Sequence, residues 1–285
     1  MTNNLKSIIS PEELSQSLND PSLLIVDCSF TLQQPEQGYK DYLALHIPDA
    51  VYAHLDHQLS GKCSPITGRH PLPSAQSFQT SLSNWGYTAG RKIVAYDATG
   101  GTMAAARLWW LCSYFSIPES VVLDGGITTW LQLGLPVTSI PPKIFPSPLI
   151  NVSENQQMIA SFDEIRANLH EPRQVLLDGR ATNRYFGLEE TIDTLGGHIP
   201  GAISLPVSDF LDENMRFKSN EEIVSIIEHL LPVINMEEII YYCGSGVTSA
   251  LGLLAFANAG YPPGRLYPGS WSEWITLSGV EIAVK

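Results

Sequence analysis

Positive charge is scarce in this chain. Its 285 residues include 16 Lys and Arg against 29 Asp and Glu, a formal net charge of −13. So acidic a surface repels nucleic-acid phosphates and anionic lipid headgroups, and no Lys/Arg cluster interrupts it, so neither nucleic acid nor a membrane is expected as a partner. Long apolar runs are missing too, and no stretch approaches the length a bilayer requires. The opening residues MTNNLKSIISPEEL lack the basic and apolar segments of a secretory leader, which makes the cytoplasm the expected location. Cysteine is equally sparse. Cys28, Cys63, Cys112 and Cys243 are too few and too widely spaced for a disulfide framework, and no C-x-x-C pair suggests zinc. Free thiols in a reducing compartment, with no metal, are the expectation.

What remains is a composition of 44% hydrophobic and 16% charged residues with mean hydropathy +0.02, which describes a soluble globular protein long enough for two domains. Comparing the chain with itself reveals a repeat, the feature that decides architecture first. SPEELSQSL pairs with SFDEIRANL, each opening on a serine followed three residues later by a glutamate: Ser10 with Glu13, Ser161 with Glu164. Both predict a capping box at the start of an amphipathic helix. LLIVD, ending at Asp27, pairs with QVLLD, ending at Asp178, and such short apolar runs suit buried parallel strands. HIPDA at His46 pairs with HIPGA at His198, and LDGGITTW with YPGSWSEW. Their recurrence gives His46 and His198 a structural role, and places Trp271 and Trp274 in packing.

The order of elements predicts two α/β domains, each a mostly parallel sheet flanked by helices on both faces. The expected boundaries are residues 1–140 and 158–285, joined at 141–157 within a stretch containing four prolines that continues neither helix nor central strand.

The halves differ most where an apolar strand meets a helix. KIVAYDATGGT carries Asp97 at the position where EIIYYCGSGVT carries Cys243. In open α/β sheets ligands bind beyond the carboxyl ends of strands, and the glycines Gly244 and Gly246 permit a tight loop whose N–H groups, with the helix that Thr248 or Ser249 begins, favour an anion. A thiolate held there is nucleophilic near neutral pH. A cysteine-based phosphatase would need an arginine six positions on; Ser249 stands there, which directs the loop away from phosphoryl transfer.

On HIPDA and HIPGA, DGRATNRYFG, YYCGSGVTS and LYPGSWSEW, the chain resembles the tandem-domain rhodanese family of sulfurtransferases. The resemblance covers nearly the whole chain. It implies catalysis in the second domain alone, through Cys243, with no cofactor. Members with basic residues after the cysteine favour thiosulfate, whereas CGSGVT resembles the 3-mercaptopyruvate type, which adds a serine after the cysteine and a histidine and aspartate from the first domain. Ser245, His70 and Asp56 match these. An arginine in a segment like RYFG binds the donor carboxylate; Arg184 matches, while the second arginine of many members is missing from LEETIDTLGG. Arg180 is either an assisting cation or half of an ion pair with Asp178. Gly244, Gly246, Val247 and Thr248 complete the expected substrate loop. Implied partners are a small-molecule sulfur donor and, as acceptor, cyanide, a small thiol or thioredoxin. Alternatives are thiosulfate as donor, or a sulfur-carrier or interaction module without turnover.

Overall fold

The computed structural model describes residues 7–169, 174–231 and 238–284. Two compact units account for them. One comprises Met1–Gly61, Leu72–Asn155 and Glu213–Arg216, the other Lys62–Pro71, Gln156–Asp212 and Phe217–Lys285. Each is a parallel sheet covered by helices.

In the first unit the strands are β1 (Ile8–Ile9), β2 (Leu23–Asp27), β3 (Val51–Tyr52), β4 (Lys92–Tyr96) and β5 (Ser120–Leu123), in the order β1-β5-β4-β2-β3, every pairing parallel. In the second they are β6 (Val175–Asp178), β7 (Ile203–Ser204), β8 (Ile239–Tyr242) and β9 (Arg265–Leu266), in the order β7-β6-β8-β9, again all parallel. The apolar strand runs are buried because helices cover both faces, as parallel sheets require. Leu14, Ile25, Val94, Tyr96, Leu123 and Trp130 form one core; Leu176, Ile240, Tyr242, Tyr267, Trp271 and Trp274 form its counterpart.

The repeat holds at the level of single contacts. Tyr96 Oη accepts the N–H of Ile47 at 3.2 Å and Tyr242 Oη that of Ile199 at 3.2 Å, fixing the two HIP turns to the central strands. His46 bonds Tyr42 O through Nδ1 at 2.6 Å and stacks on that ring; His198 bonds Tyr185 O at 2.9 Å and stacks likewise. One expectation is only half met. Ser10 and Glu13 form the full capping box, but at Ser161 only the serine caps. The Glu164 carboxylate is drawn instead to Arg265 and Gln174, because an ion pair outcompetes a neutral N–H as its partner.

The register sets the site. Asp27 pairs with Tyr96 and Asp178 with Tyr242, so Asp97 and Cys243 each follow the last residue of a central strand, at its carboxyl end. The helices that follow, Ala104–Tyr114 and Ser249–Asn258, are buried along nearly their whole length and anchor both loops.

Candidate active site

Cys243 lies at the floor of the second unit's loop, 1% exposed. Its N–H donates to Ser270 Oγ at 3.1 Å, and its carbonyl and that of Gly244 accept the N–H groups of Trp271 at 3.0 Å and Ser272 at 2.9 Å. The loop is thus stitched to the first turn of the helix Ser270–Trp274. Gly246 has φ +72°, and a side chain there would collide with the carbonyl oxygen of Pro268. Only glycine lets the backbone bend here and pass so close.

Burial by itself pushes the Cys243 thiol up, but the hydroxyls of Ser249 and Thr248 and the N–H groups of Ser245 and Ser249 outweigh it, leaving the pKa below the ordinary 9.0. Ser249 is fully buried, and its hydroxyl is the largest influence that lowers the Cys243 pKa. The N–H groups of Ser245 and Ser249 and the hydroxyls of Thr248 and Ser249 are the main influences that lower it. The other buried thiols behave oppositely. Burial drives Cys28 well above its ordinary value and Cys112 up to about 12, with no comparable set of donors to counter it. We expect the rate of Cys243 alkylation by iodoacetamide to titrate with a midpoint below 9.0, and Thr248→Val to move that midpoint upward; rates measured across pH check both.

The sister loop shows the same cradle already filled. The Asp97 carboxylate accepts the N–H groups of Thr99 (2.8 Å), Gly101 (2.8 Å), Met103 (3.2 Å) and Ala105 (3.1 Å) and the Thr99 hydroxyl (3.0 Å). A carboxylate in this frame stands where the other unit places a thiol.

Around Cys243 the second unit gathers most of the expected residues. Ser245 Oγ and His70 Nδ1 are 2.8 Å apart, both groups buried. His70 belongs to this unit because its segment, Lys62–Pro71, packs here, with the Arg69 N–H bonded to Ser272 Oγ at 3.1 Å. Asp56 lies in the helix Leu55–Gln58 of the first unit, where its N–H donates to His54 Nδ1 at 3.1 Å.

Arg184 donates through Nε to Glu190 at 2.9 Å and through Nη2 to Asp193 at 2.8 Å. Arg180 is held differently. It forks onto Asp178 at 3.0 and 2.6 Å, gives Nη2 to the Gly197 carbonyl at 2.6 Å and lies over the Trp271 ring at 4.6 Å, with its side chain 1% exposed. These partners absorb its guanidinium within the fold. Of the two readings of Arg180, the ion pair with Asp178 is the contact the geometry shows. Arg69 was not singled out in the sequence, yet it forms an ion pair with Asp193 and reaches over Gly244. The signal was its place beside His70 in TGRHPLP.

Among the described residues, Glu36, His54 and His57 bring ligand atoms within 4.8 Å of one another. His54 Nδ1 already accepts the Asp56 N–H, which leaves the ring proton of neutral His54 on Nε2, facing Glu36 at 3.5 Å. Among the same residues no helix is long and apolar enough to cross a membrane.

Comparison with known proteins decides the family. The model of the rhodanese-like domain matches twice, at residues 10–133 and 161–277. The chain belongs to the rhodanese family. Among its members, a probable 3-mercaptopyruvate sulfurtransferase of Pseudomonas aeruginosa is 37% identical over 271 residues, covering 94% of this chain and 95% of that protein. The thiosulfate sulfurtransferase of Rattus norvegicus is 31% identical over 289 residues, covering 98% and 95%. Among solved structures, the 3-mercaptopyruvate sulfurtransferase from Leishmania major superposes with a TM-score of 0.84 at 28% identity, over 96% of this chain and 75% of that one. The two tandem sheets and their loops are therefore the rhodanese fold, present twice.

Proposed function

We propose that the protein is a sulfurtransferase that takes sulfur from 3-mercaptopyruvate onto Cys243 and delivers it to cyanide, a small thiol or thioredoxin. The observation that carries this reading is a buried thiol of lowered pKa in a loop without a single cation, beside a Ser245–His70 pair 2.8 Å apart.

In the first step the Cys243 thiolate attacks the donor sulfur; an S–S bond forms and the C–S bond breaks. The electron pair passes to the former methylene carbon as the enolate of pyruvate. That carbon needs a proton, and the donor thiol has one to give. Ser245 and His70 can relay it, the hydroxyl polarised by the imidazole, so that protons balance without solvent. The persulfide rests among the Ser245 and Ser249 N–H groups until a nucleophilic acceptor removes its outer sulfur and regenerates the thiolate. Asp56 enters this reading through the family pattern alone. The first unit, with Asp97 in its loop, offers no nucleophile at the matching position.

Thiosulfate is the competing donor, since relatives of both names are similar to this chain. It is a dianion, and residues 244–248 carry no positive charge to meet it. Comparing kcat/KM for the two donors tests the assignment: mercaptopyruvate should lead by about tenfold or more, the worth of one charged contact. Thiosulfate yields sulfite with no carbon to protonate, so His70→Asn should cut turnover on mercaptopyruvate by about a hundredfold while sparing thiosulfate. Equal loss on both donors would remove the proton relay.

A further inference from the structure

We infer that Glu36, His54 and His57 form a site for a single zinc ion on the first unit, with two imidazoles and a carboxylate as three ligands and a fourth position left to water. The site lies in the unit without the nucleophile and stands apart from the sulfur-transfer reading. The cysteine spacing that argues against zinc in the sequence bears on thiolate sites alone.

Two elements bring the ligands together. His54 caps the helix Leu55–Gln58 and His57 lies three residues on, a spacing that puts both rings on one side; their centroids are 4.2 Å apart and their planes 24° from parallel. Glu36 stands at the start of the helix Gln37–Ala44. His54 is the fixed member. It is 6% exposed, Phe30 and Tyr52 meet its ring edge to face at 5.6 and 6.2 Å, and its Nε2 is buried and makes no hydrogen bond among the described residues. A polar nitrogen buried in that state lowers stability until it gains a partner. Glu36 and His57, with side chains 68% and 70% exposed, can close on it from outside.

Distances decide whether an ion fits. Zinc bonds nitrogen and oxygen at about 2.0–2.2 Å, so neighbouring ligand atoms around a tetrahedral ion stand about 3.3–3.6 Å apart. Glu36 Oε1 is 3.5 Å from His54 Nε2 and 3.9 Å from His57 Nε2, and ligand atoms of all three residues lie within 4.8 Å of one another. The first separation already matches, and the others close by rotation of the two exposed side chains. Two imidazoles and one carboxylate suit zinc, whereas calcium and magnesium call for oxygen ligands throughout. Glu36 offsets half of the ion's charge, and a net charge of −13 draws cations to the surface. Ligation also leaves a mark. Zinc displaces the ring proton of His54 from Nε2 to Nδ1, so the Asp56 N–H that Nδ1 accepts at 3.1 Å loses that acceptor.

Zinc chloride titrated into the full chain, followed by calorimetry, tests the site, with Cys63→Ser as the parent protein so that the exposed thiol is removed. One zinc should bind per chain. His57→Ala and Glu36→Gln, added singly to that parent, should each weaken binding by about tenfold or more while leaving Tm unchanged, since both side chains are exposed. His54 is left in place, because replacing a core residue disturbs the fold whatever it binds. Its part is read instead from the proton: nitrogen NMR of isotope-labelled protein should place the His54 proton on Nε2 without zinc and on Nδ1 with it, a shift that zinc held by Glu36 and His57 alone would not produce. Equal affinity in all three proteins overturns the site, since the ion is then held elsewhere. A His54 signal that zinc leaves unchanged overturns it too, as does the absence of binding at millimolar zinc. No sulfur donor enters the experiment, so its outcome does not depend on which donor the protein uses.

Discussion

Cys243→Ser should reduce sulfur transfer from either donor by at least about 10⁴-fold, to background, because the proposed reaction runs through a covalent bond that oxygen cannot make productively. The substitution is nearly isosteric, and the new hydroxyl sits among donors already aimed at that position, so the fold should persist. The remaining thiols offer no substitute: burial raises Cys28 and Cys112, and Cys63 is exposed with its Sγ directed to the Gly68 carbonyl. Intact mass after treatment with mercaptopyruvate gives the direct measure. Wild type and Cys63→Ser should both gain one sulfur, and Cys243→Ser should gain none. Retained turnover in Cys243→Ser would end the assignment of the nucleophile. A stable gain of sulfur with no turnover on cyanide would make the protein a carrier.

The second large effect is on stability and lies in the half without a nucleophile. Removing the Asp97 carboxylate leaves four backbone N–H groups and a hydroxyl without their acceptor, those of Gly101 and Ala105 buried and those of Thr99 and Met103 partly so. Each buried donor left unsatisfied costs about 1–3 kcal/mol, and water entering the space returns some of it. Asp97→Ala should therefore destabilise the first unit by at least about 3 kcal/mol, a fall in Tm of about 6–12 °C for a domain of this size. Asp97→Asn keeps one acceptor oxygen but points an amide N–H₂ at other N–H groups, so it should fall between wild type and alanine. Thermal unfolding followed by circular dichroism measures both. An Asp97→Ala protein as stable as wild type would mean that the loop does not depend on an anion at its centre.

Much of this was legible from residues alone because the chain carries its own control. The paired strands, the paired HIP turns and the paired loops could be aligned with each other, and the contrast of Asp97 with Cys243 stood out against a shared frame. Local signals served well where the physics is local: Gly246 marks a left-handed turn in any context, and Ser10 with Glu13 closes a capping box within four residues. They served less well where a partner is distant. Glu164 has the spacing of a capping residue, but Arg265, a hundred positions along the chain, claims its carboxylate. Arg180 could be read two ways until Asp178, Gly197 and Trp271 were seen around it. Arg69 escaped notice because nothing in TGRHPLP announces that this arginine will meet Asp193, more than a hundred residues later. The acidic stretch after Arg184 looked like a missing cation and is in fact where an arginine from elsewhere is held.

The ten residues Lys62–Pro71 come from the first half of the chain and are built into the second unit, while Glu213–Arg216 goes the other way. The repeat is therefore not modular. A gene cut at the proline-rich joint would give a second piece with its nucleophile, its glycine loop and Arg184, but without Arg69 or the imidazole beside Ser245. During synthesis the segment bearing those two residues leaves the ribosome well before the strand that ends at Cys243, and has to wait for it. Once the two halves had traded these segments, each compact unit contained residues encoded in the other half of the chain, which ties the two copies together more firmly than any linker does.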